Sequence, residues 1–179
     1  MNVGANSVTD SGFFFAWGET DGYSDEEAGT VKRFTFLDSD YKYGEGTPFS
    51  KYDTDGLTEL EPSDDGVQQA WGGSWVTPTK SDFDELISNT TFAWVNNYQN
   101  SGVPGATFTG NGNVLFIPAV GYAYDGTIGD NGALGIVWAS SLNTEGTDYV
   151  YGFSVDDAEA GVHNYFERCS GLKLRGISK

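Results

Sequence analysis

Gly135-Ile136-Val137-Trp138 and, after a run of turn residues, Tyr149-Val150-Tyr151-Gly152-Phe153-Ser154-Val155 decide the fold class. Both runs are rich in β-branched and aromatic residues, and Asn, Gly, Thr and Asp fill the gap between them. They read as short strands of an antiparallel, loop-rich C-terminal half. Strand alternation predicts that Gly152 and Ser154 face outward between the apolar Val150, Phe153 and Val155. Upstream, Val114 to Ile117 reads as another strand, ended by Pro118; downstream, Leu172 to Ile177 reads as the last.

Further toward the N-terminus the pattern turns helical. After Pro78, Thr79 can cap a helix, Asp82 sits three residues on, and Phe83, Leu86 and Ile87 fall on one face. A second short helix starts near Leu60 to Ala70, where Pro62 and Ser63 lead into Asp64 and Asp65, and Trp71 with Gly72-Gly73 stops it. Phe13-Phe14-Phe15-Ala16-Trp17, between Gly12 and Gly18, reads as a short buried strand. Thr20 to Leu57 is rich in Asp, Gly, Tyr and Ser, and is predicted to form long surface loops with a short strand near Val31 to Phe36. Strands and helices first, then antiparallel strands, give an α+β class. With 179 residues and no repeat or linker, residues 1–179 are expected to form a single domain. Trp17, Trp71, Trp75, Trp94 and Trp138 are expected in the core.

Nine basic residues against 26 acidic ones leave a net charge of −17, a field that repels phosphate backbones and anionic lipid heads. Nucleic acid is therefore not an expected partner. No apolar run approaches a membrane span, so no membrane insertion is expected. Cys169 is the one cysteine, which excludes an intrachain disulfide and a paired-cysteine redox centre.

Several phrases together carry a resemblance: Asn2-Val3-Gly4-Ala5, Phe15-Ala16-Trp17-Gly18-Glu19-Thr20, Leu60-Glu61-Pro62-Ser63-Asp64-Asp65, Trp71-Gly72-Gly73-Ser74-Trp75-Val76-Thr77-Pro78-Thr79, Phe116-Ile117-Pro118-Ala119-Val120-Gly121-Tyr122, Trp138-Ala139-Ser140-Ser141-Leu142 and Arg168-Cys169-Ser170-Gly171-Leu172. In this order they resemble the major paralogous domain family of gut bacterial surface proteins, and with it the variable proteins of C-type lectin fold that retroelements diversify. The resemblance implies a fold related to formylglycine-generating enzymes and C-type lectins, with two short helices and a twisted antiparallel sheet. It also implies a variable region from about Trp138 to Arg168, in a protein at a cell surface or on a phage virion. Adenine-directed diversification turns Asn-type codons into Tyr, Asp, Ser, Gly, Ala, Val, Phe or His but not into Lys, Gln, Glu, Met or Trp; between Asp148 and Phe166 only Glu159 breaks that rule. The family places a strand ahead of Asn-Val-Gly-Ala, which here follows Met1 directly, so either an N-terminal strand is missing or that edge of the sheet is built otherwise. Leu174-Arg175-Gly176-Ile177 departs from the family's Val-Arg-Pro-Val and leaves the last strand's register open.

The expected function is recognition without turnover, by a receptor-binding or adhesin-type module facing a protein or glycan ligand on a cell surface. Tyr149, Tyr151, Gly152, Ser154, Asp156, Asp157, His163, Asn164, Tyr165 and Phe166 are the candidate binding residues; rigid amphipathic rings give contact area at small entropic cost. The alternative is a fixed carbohydrate-binding C-type lectin-like domain assisted by calcium. Catalysis is not expected. The formylglycine-generating relatives use two active-site cysteines, and His163, the one base for a nucleophile triad, lies in the region expected to vary. No cofactor is expected beyond a structural calcium, for which Asp38, Asp40, Asp53 and Asp55 offer oxygens at alternate positions; the bland reading of these four is that they cap turns.

Overall fold

A computed structural model describes all residues, 1–179. In chain order the elements are β1 (Phe14–Phe15), α1 (Gly66–Trp71), β2 (Trp75–Val76), α2 (Lys80–Asn89), β3 (Thr91–Val95), β4 (Gly105–Gly110), β5 (Asn113–Pro118), β6 (Val120–Tyr124), β7 (Thr127–Asn131), β8 (Gly135–Leu142), β9 (Tyr149–Val155), β10 (Ala160–Glu167), β11 (Leu172–Lys173) and β12 (Ile177–Ser178). The class is α+β, and no helix is long and apolar enough to cross a membrane.

Strand β8 is the spine. It pairs in parallel with β6 and β11 and antiparallel with β9, whose other edge carries β10; β7 extends the sheet beyond β6 and β1 extends it beyond β11. A meander, β3-β4-β5, and a two-stranded pair, β2-β12, lie outside this seven-stranded sheet. Because β8 is covered on both faces it is buried along nearly all its length, and its side chains divide between two clusters. Val137 and Ala139 join Phe153, Val155, Phe108, Ile117 and Phe83, with the Phe83 ring of α2 stacked on Phe153 at 4.7 Å. Ile136 and Trp138 point the other way, into the larger cluster with Phe14, Phe15, Trp17 and Val150.

The N-terminal strand and β8 are stitched together by two indoles. Trp17 Nε1 donates to the Ala139 carbonyl at 2.8 Å and Trp138 Nε1 to the Phe15 carbonyl at 2.7 Å. Both rings are fully buried, so each finds the one partner its donor requires.

Local chemistry sets both helices. Asp65 caps α1 by accepting from the backbone of Val67 and Gln68, and also accepts from the Thr77 amide and hydroxyl, so one carboxylate starts the helix and ties it to the segment after β2. At Gly66 an added Cβ would lie 2.4 Å from the tip of the buried Leu174 side chain, which would have to move. α2 opens with the predicted capping box between Thr79 and Asp82.

Residues 20–57 depart from expectation. The predicted strand at Val31 to Phe36 does not form, and the segment is not a set of surface loops: Ala28, Phe36, Tyr41, Tyr43, Phe49 and Tyr52 are buried. The aromatic residues pack edge to face, Trp17 on Tyr52 at 5.1 Å, Tyr52 on Tyr43 at 5.6 Å and Tyr43 on Tyr41 at 5.5 Å. An irregular backbone has no periodicity to advertise such burial. Turn hydrogen bonds satisfy part of its backbone and side chains satisfy more: the buried Arg168 guanidinium lies 4.2 Å from the centre of the Phe49 ring and donates to the carbonyls of Lys51 and Tyr52. Asp64 accepts from Tyr52 at 2.7 Å, Lys42 at 3.1 Å and Lys51. Burial works against its charge, but these donors win and hold the carboxyl well below the usual carboxylate range.

Three smaller expectations also change. Trp71, at the end of α1, and Trp75, on β2, are 37% and 41% exposed and pack on each other at 5.3 Å across the Gly72-Gly73 turn rather than in the core. The last strand splits at Gly176 into β11 and β12, and Ile177 pairs with Val76. At the N-terminus Asn2 bridges Arg175 and the Val3 amide donates to the Leu174 carbonyl at 2.9 Å, so this edge pairs with the C-terminal segment.

Lys173 is fully buried, its ammonium 3.0 Å from the Phe14 ring centre, with the Gly12 carbonyl and Asp25 as partners. Burial pushes it down to about 7, against the opposing pull of Asp25. An unfolded lysine keeps its proton to about pH 10.4. Below pH 7 both states are charged and the folded state bears the full burial cost; between these values the folded state loses its proton first, and stability rises with pH. The stability difference between wild type and Lys173→Met, measured by urea denaturation, is therefore expected to shift in favour of wild type from pH 7 to 9. The comparison cancels the contributions of other titrating groups. A constant difference would mean that Lys173 stays charged throughout.

Candidate functional site

The hairpin of β9 and β10 builds one wall of a surface groove of about 670 Å³. Its turn is held by Asp156, whose carboxylate accepts from the amides of Glu159 at 2.9 Å and Ala158 at 2.8 Å; these bonds lower its pKa and favour the ionised form. Pairing then runs regularly from Ala160 opposite Val155 to His163 opposite Gly152, slips, and resumes at Phe166 opposite Val150. Asn164 and Tyr165 together stand opposite Tyr151, a bulge of one extra residue that breaks the two-residue period and re-aims side chains. As a result His163, Tyr165 and Phe166 all reach the groove. Their rings form a continuous shelf, with His163 to Tyr165 at 5.1 Å and Tyr165 to Phe166 at 4.8 Å. The shelf rests on the core through Phe166, which meets Trp138 edge to face at 6.2 Å.

The opposite wall comes from β6 and its neighbours. Tyr122 and Tyr124 face the groove from either side of the buried Ala123, with Leu134, Ile136, Ser170 and Leu172 completing the floor. Asp156, Glu159 and Glu167 supply three carboxylates to the lining, which contains no lysine or arginine.

Of the residues singled out in the sequence, Tyr149, Ser154, Asp156, His163, Tyr165 and Phe166 come together in this groove. The other four do not line it. Tyr151 packs with the second cluster on the far face of the sheet, where the Lys80 ammonium stands 5.7 Å from its ring centre. Gly152 is buried rather than outward, since positions 150, 152 and 154 share one face and the Phe166 ring covers Gly152 so closely that an added Cβ would sit 2.7 Å from it. Asp157 and Asn164 are exposed outside the lining, and the Asn164 carbonyl accepts from Asn143 at 3.4 Å. Sequence reasoning missed Tyr122, Tyr124, Glu159 and Glu167. For the two tyrosines the signal was present, as alternation about Ala123.

The calcium candidates are engaged elsewhere. Asp53 accepts from the Phe49 amide at 3.0 Å and the Thr147 hydroxyl at 2.8 Å, Asp55 from the amides of Tyr52 and Leu57, and Asp40 from Thr35. These are turn-capping roles. Asp38 begins a short 3-10 turn, and no group of three or more potential ligand side chains is assembled anywhere. Cys169 is buried, and burial, followed by Asp38, pushes its thiol up, the opposite of what activates a nucleophile.

Compared with protein-family models, with curated proteins and with solved structures, the chain matches none.

The geometry separates two kinds of position within one short segment. Trp138→Ala is expected to cost about 3 to 5 kcal/mol through the cavity it leaves, and Gly152→Ala about 1 to 3 kcal/mol by overpacking against Phe166. Tyr149→Ala, Ser154→Ala and Tyr165→Ala should stay within about 0.5 kcal/mol of wild type. Urea denaturation of the five variants decides the matter, and similar losses at Trp138 and Tyr165 would contradict the assignment.

Proposed function

We propose that the chain is a non-catalytic ligand-binding protein of the retroelement-diversified, C-type lectin-like class, with the β9–β10 groove as its display surface. One observation carries the reading. Eight of the fourteen groove-lining residues, Tyr149, Ser154, Asp156, Glu159, His163, Tyr165, Phe166 and Glu167, fall inside the Trp138 to Arg168 window, on a fixed wall and floor of residues outside it, while Val150, Phe153, Val155 and Arg168 of the same window are buried. Such a segment can change its outward residues on a fixed inner set. The two α-helices and the seven-stranded sheet suit the C-type lectin plan that the sequence phrases imply. The partner is a protein or glycan on a cell surface, met by a bacterial surface protein or a phage virion.

A fixed carbohydrate-binding domain is the second reading, favoured by the rings of the groove shelf, which suit the apolar face of a sugar. Calcium assistance has no support in the groove, because Asp38, Asp40, Asp53 and Asp55 lie outside its lining. The DNA around the gene separates the two. Diversification predicts a near-copy of the codons for residues 138–168, differing at adenines, beside a reverse transcriptase gene; a locus with neither element would leave the fixed domain as the surviving reading.

A further inference from the structure

The charge of the groove narrows its ligand. Nine basic residues serve the whole chain, and the structure commits nearly all of them elsewhere. Lys42 and Lys51 pair with Asp64, Lys80 with Asp84, Arg33 with Glu27, Lys173 with Asp25 and Lys179 with Asp82, while Arg168 and Arg175 are buried. None lines the groove, and none pairs with Asp156, Glu159 or Glu167. The negative field is felt inside the groove: the charge of Glu167 is the main cause that pushes the Tyr124 phenol up. Concave walls focus such a field onto whatever enters.

The rings add to the same preference. The negative face of an aromatic ring attracts a cation set over it, and a guanidinium also stacks flat on it and pairs with a carboxylate through two parallel N–H groups. The shelf of His163, Tyr165 and Phe166 offers such faces to solvent, with Tyr165 59% exposed. Beside it, β10 pairs with no strand other than β9, so its other edge can receive an extended chain. The groove, about 670 Å³, has room for long side chains and is far larger than a lone cation needs.

On the reading that this groove is the ligand-binding surface, we propose that it receives the Lys and Arg side chains of an extended basic peptide segment of a partner protein, laid along β10 with its cations between the aromatic shelf and Glu159 and Glu167. A neutral glycan would leave these carboxylates without countercharge, and an anionic ligand would be repelled.

The test uses the full chain and three probes: a short fluorescent peptide of alternating Arg and Val, its counterpart with Gln for Arg, and a panel of neutral oligosaccharides. The Arg peptide is expected to bind and the Gln peptide not to bind. Affinity for the Arg peptide should fall by about tenfold or more between about 0.05 and 0.5 M NaCl and by about tenfold in Glu159→Gln/Glu167→Gln and in Tyr165→Ala. Glu26→Gln/Glu45→Gln, the same loss of charge at remote exposed positions, should leave it unchanged, and melting curves should show all variants folded. Equal weakening by the groove pair and the remote pair would reduce the binding to bulk charge and overturn the proposal. An oligosaccharide whose binding is lost in Tyr165→Ala but kept in Glu159→Gln/Glu167→Gln would overturn the basic-peptide class while leaving the groove as the ligand-binding site. Binding of any probe that survives both Tyr165→Ala and Glu159→Gln/Glu167→Gln would remove the groove itself from recognition.

Discussion

Two indole N–H groups buried far from water hold the two ends of this chain together. Trp17 donates to β8 and Trp138 donates to the Phe15 carbonyl, so residues more than a hundred positions apart are locked by directional bonds that water cannot replace. Everything else is arranged about this pair. The irregular segment from 20 to 57 leans its Tyr52 ring on Trp17, and Arg168, stacked between Phe49 and Trp17, ties the same segment to the end of β10. On the other side, Trp138 is the surface on which Phe166 rests. The groove is therefore only one ring away from the fully buried Trp138, and a display surface gains from such support because its shape does not depend on the residues displayed.

Arg168 closes the segment for a related reason. A buried guanidinium is costly unless its donors are used and its faces covered. Here two main-chain carbonyls and two aromatic faces do so, leaving only Nε without a partner. The irregular segment can be long and still ordered because side chains meet backbone groups that a sheet or helix would have paired: Arg168 donates to the carbonyls of Lys51 and Tyr52, and Glu19, Asp40, Asp53 and Asp55 accept from the amides of Lys42, Thr35, Phe49 and Tyr52.

Local signals were legible where local chemistry decides. The capping box at Thr79 and Asp82 announced α2, the alternating run from Tyr149 to Val155 announced β9 with its bounds, and the exposed glycine pair announced the end of α1. Tertiary context decided the rest. Nothing in Thr20 to Leu57 repeats with a period, so the burial of Tyr41, Tyr43 and Tyr52 was hidden; β3, in Thr91-Phe92-Ala93-Trp94-Val95, is a half-buried strand whose outward positions are a threonine and an alanine. Trp71, the last residue of α1, and Trp75, on β2, show that a large apolar ring beside glycines can stay partly outside, packed on another ring. On β9, Gly152 shares the face of the buried Val150 and lies under the Phe166 ring, a cover that no local signal announces; on β10, the bulge at Asn164 and Tyr165 breaks the period, so composition rather than alternation pointed to His163, Tyr165 and Phe166. Glu159 and Glu167 were passed over because a codon rule describes what diversification can write, and a groove also uses residues that it leaves alone.

The central claim is a division of labour inside one hairpin, between residues that hold the fold and residues that meet the ligand. Its most direct measurement is a pair of libraries displayed on a cell or phage and scored for protease-resistant molecules, one randomising Tyr149, Ser154, Glu159, His163 and Tyr165 together, the other Trp138, Gly152, Phe153 and Arg168. The account predicts that most members of the first library stay folded and that almost none of the second do. A first library that unfolds as completely as the second would contradict it.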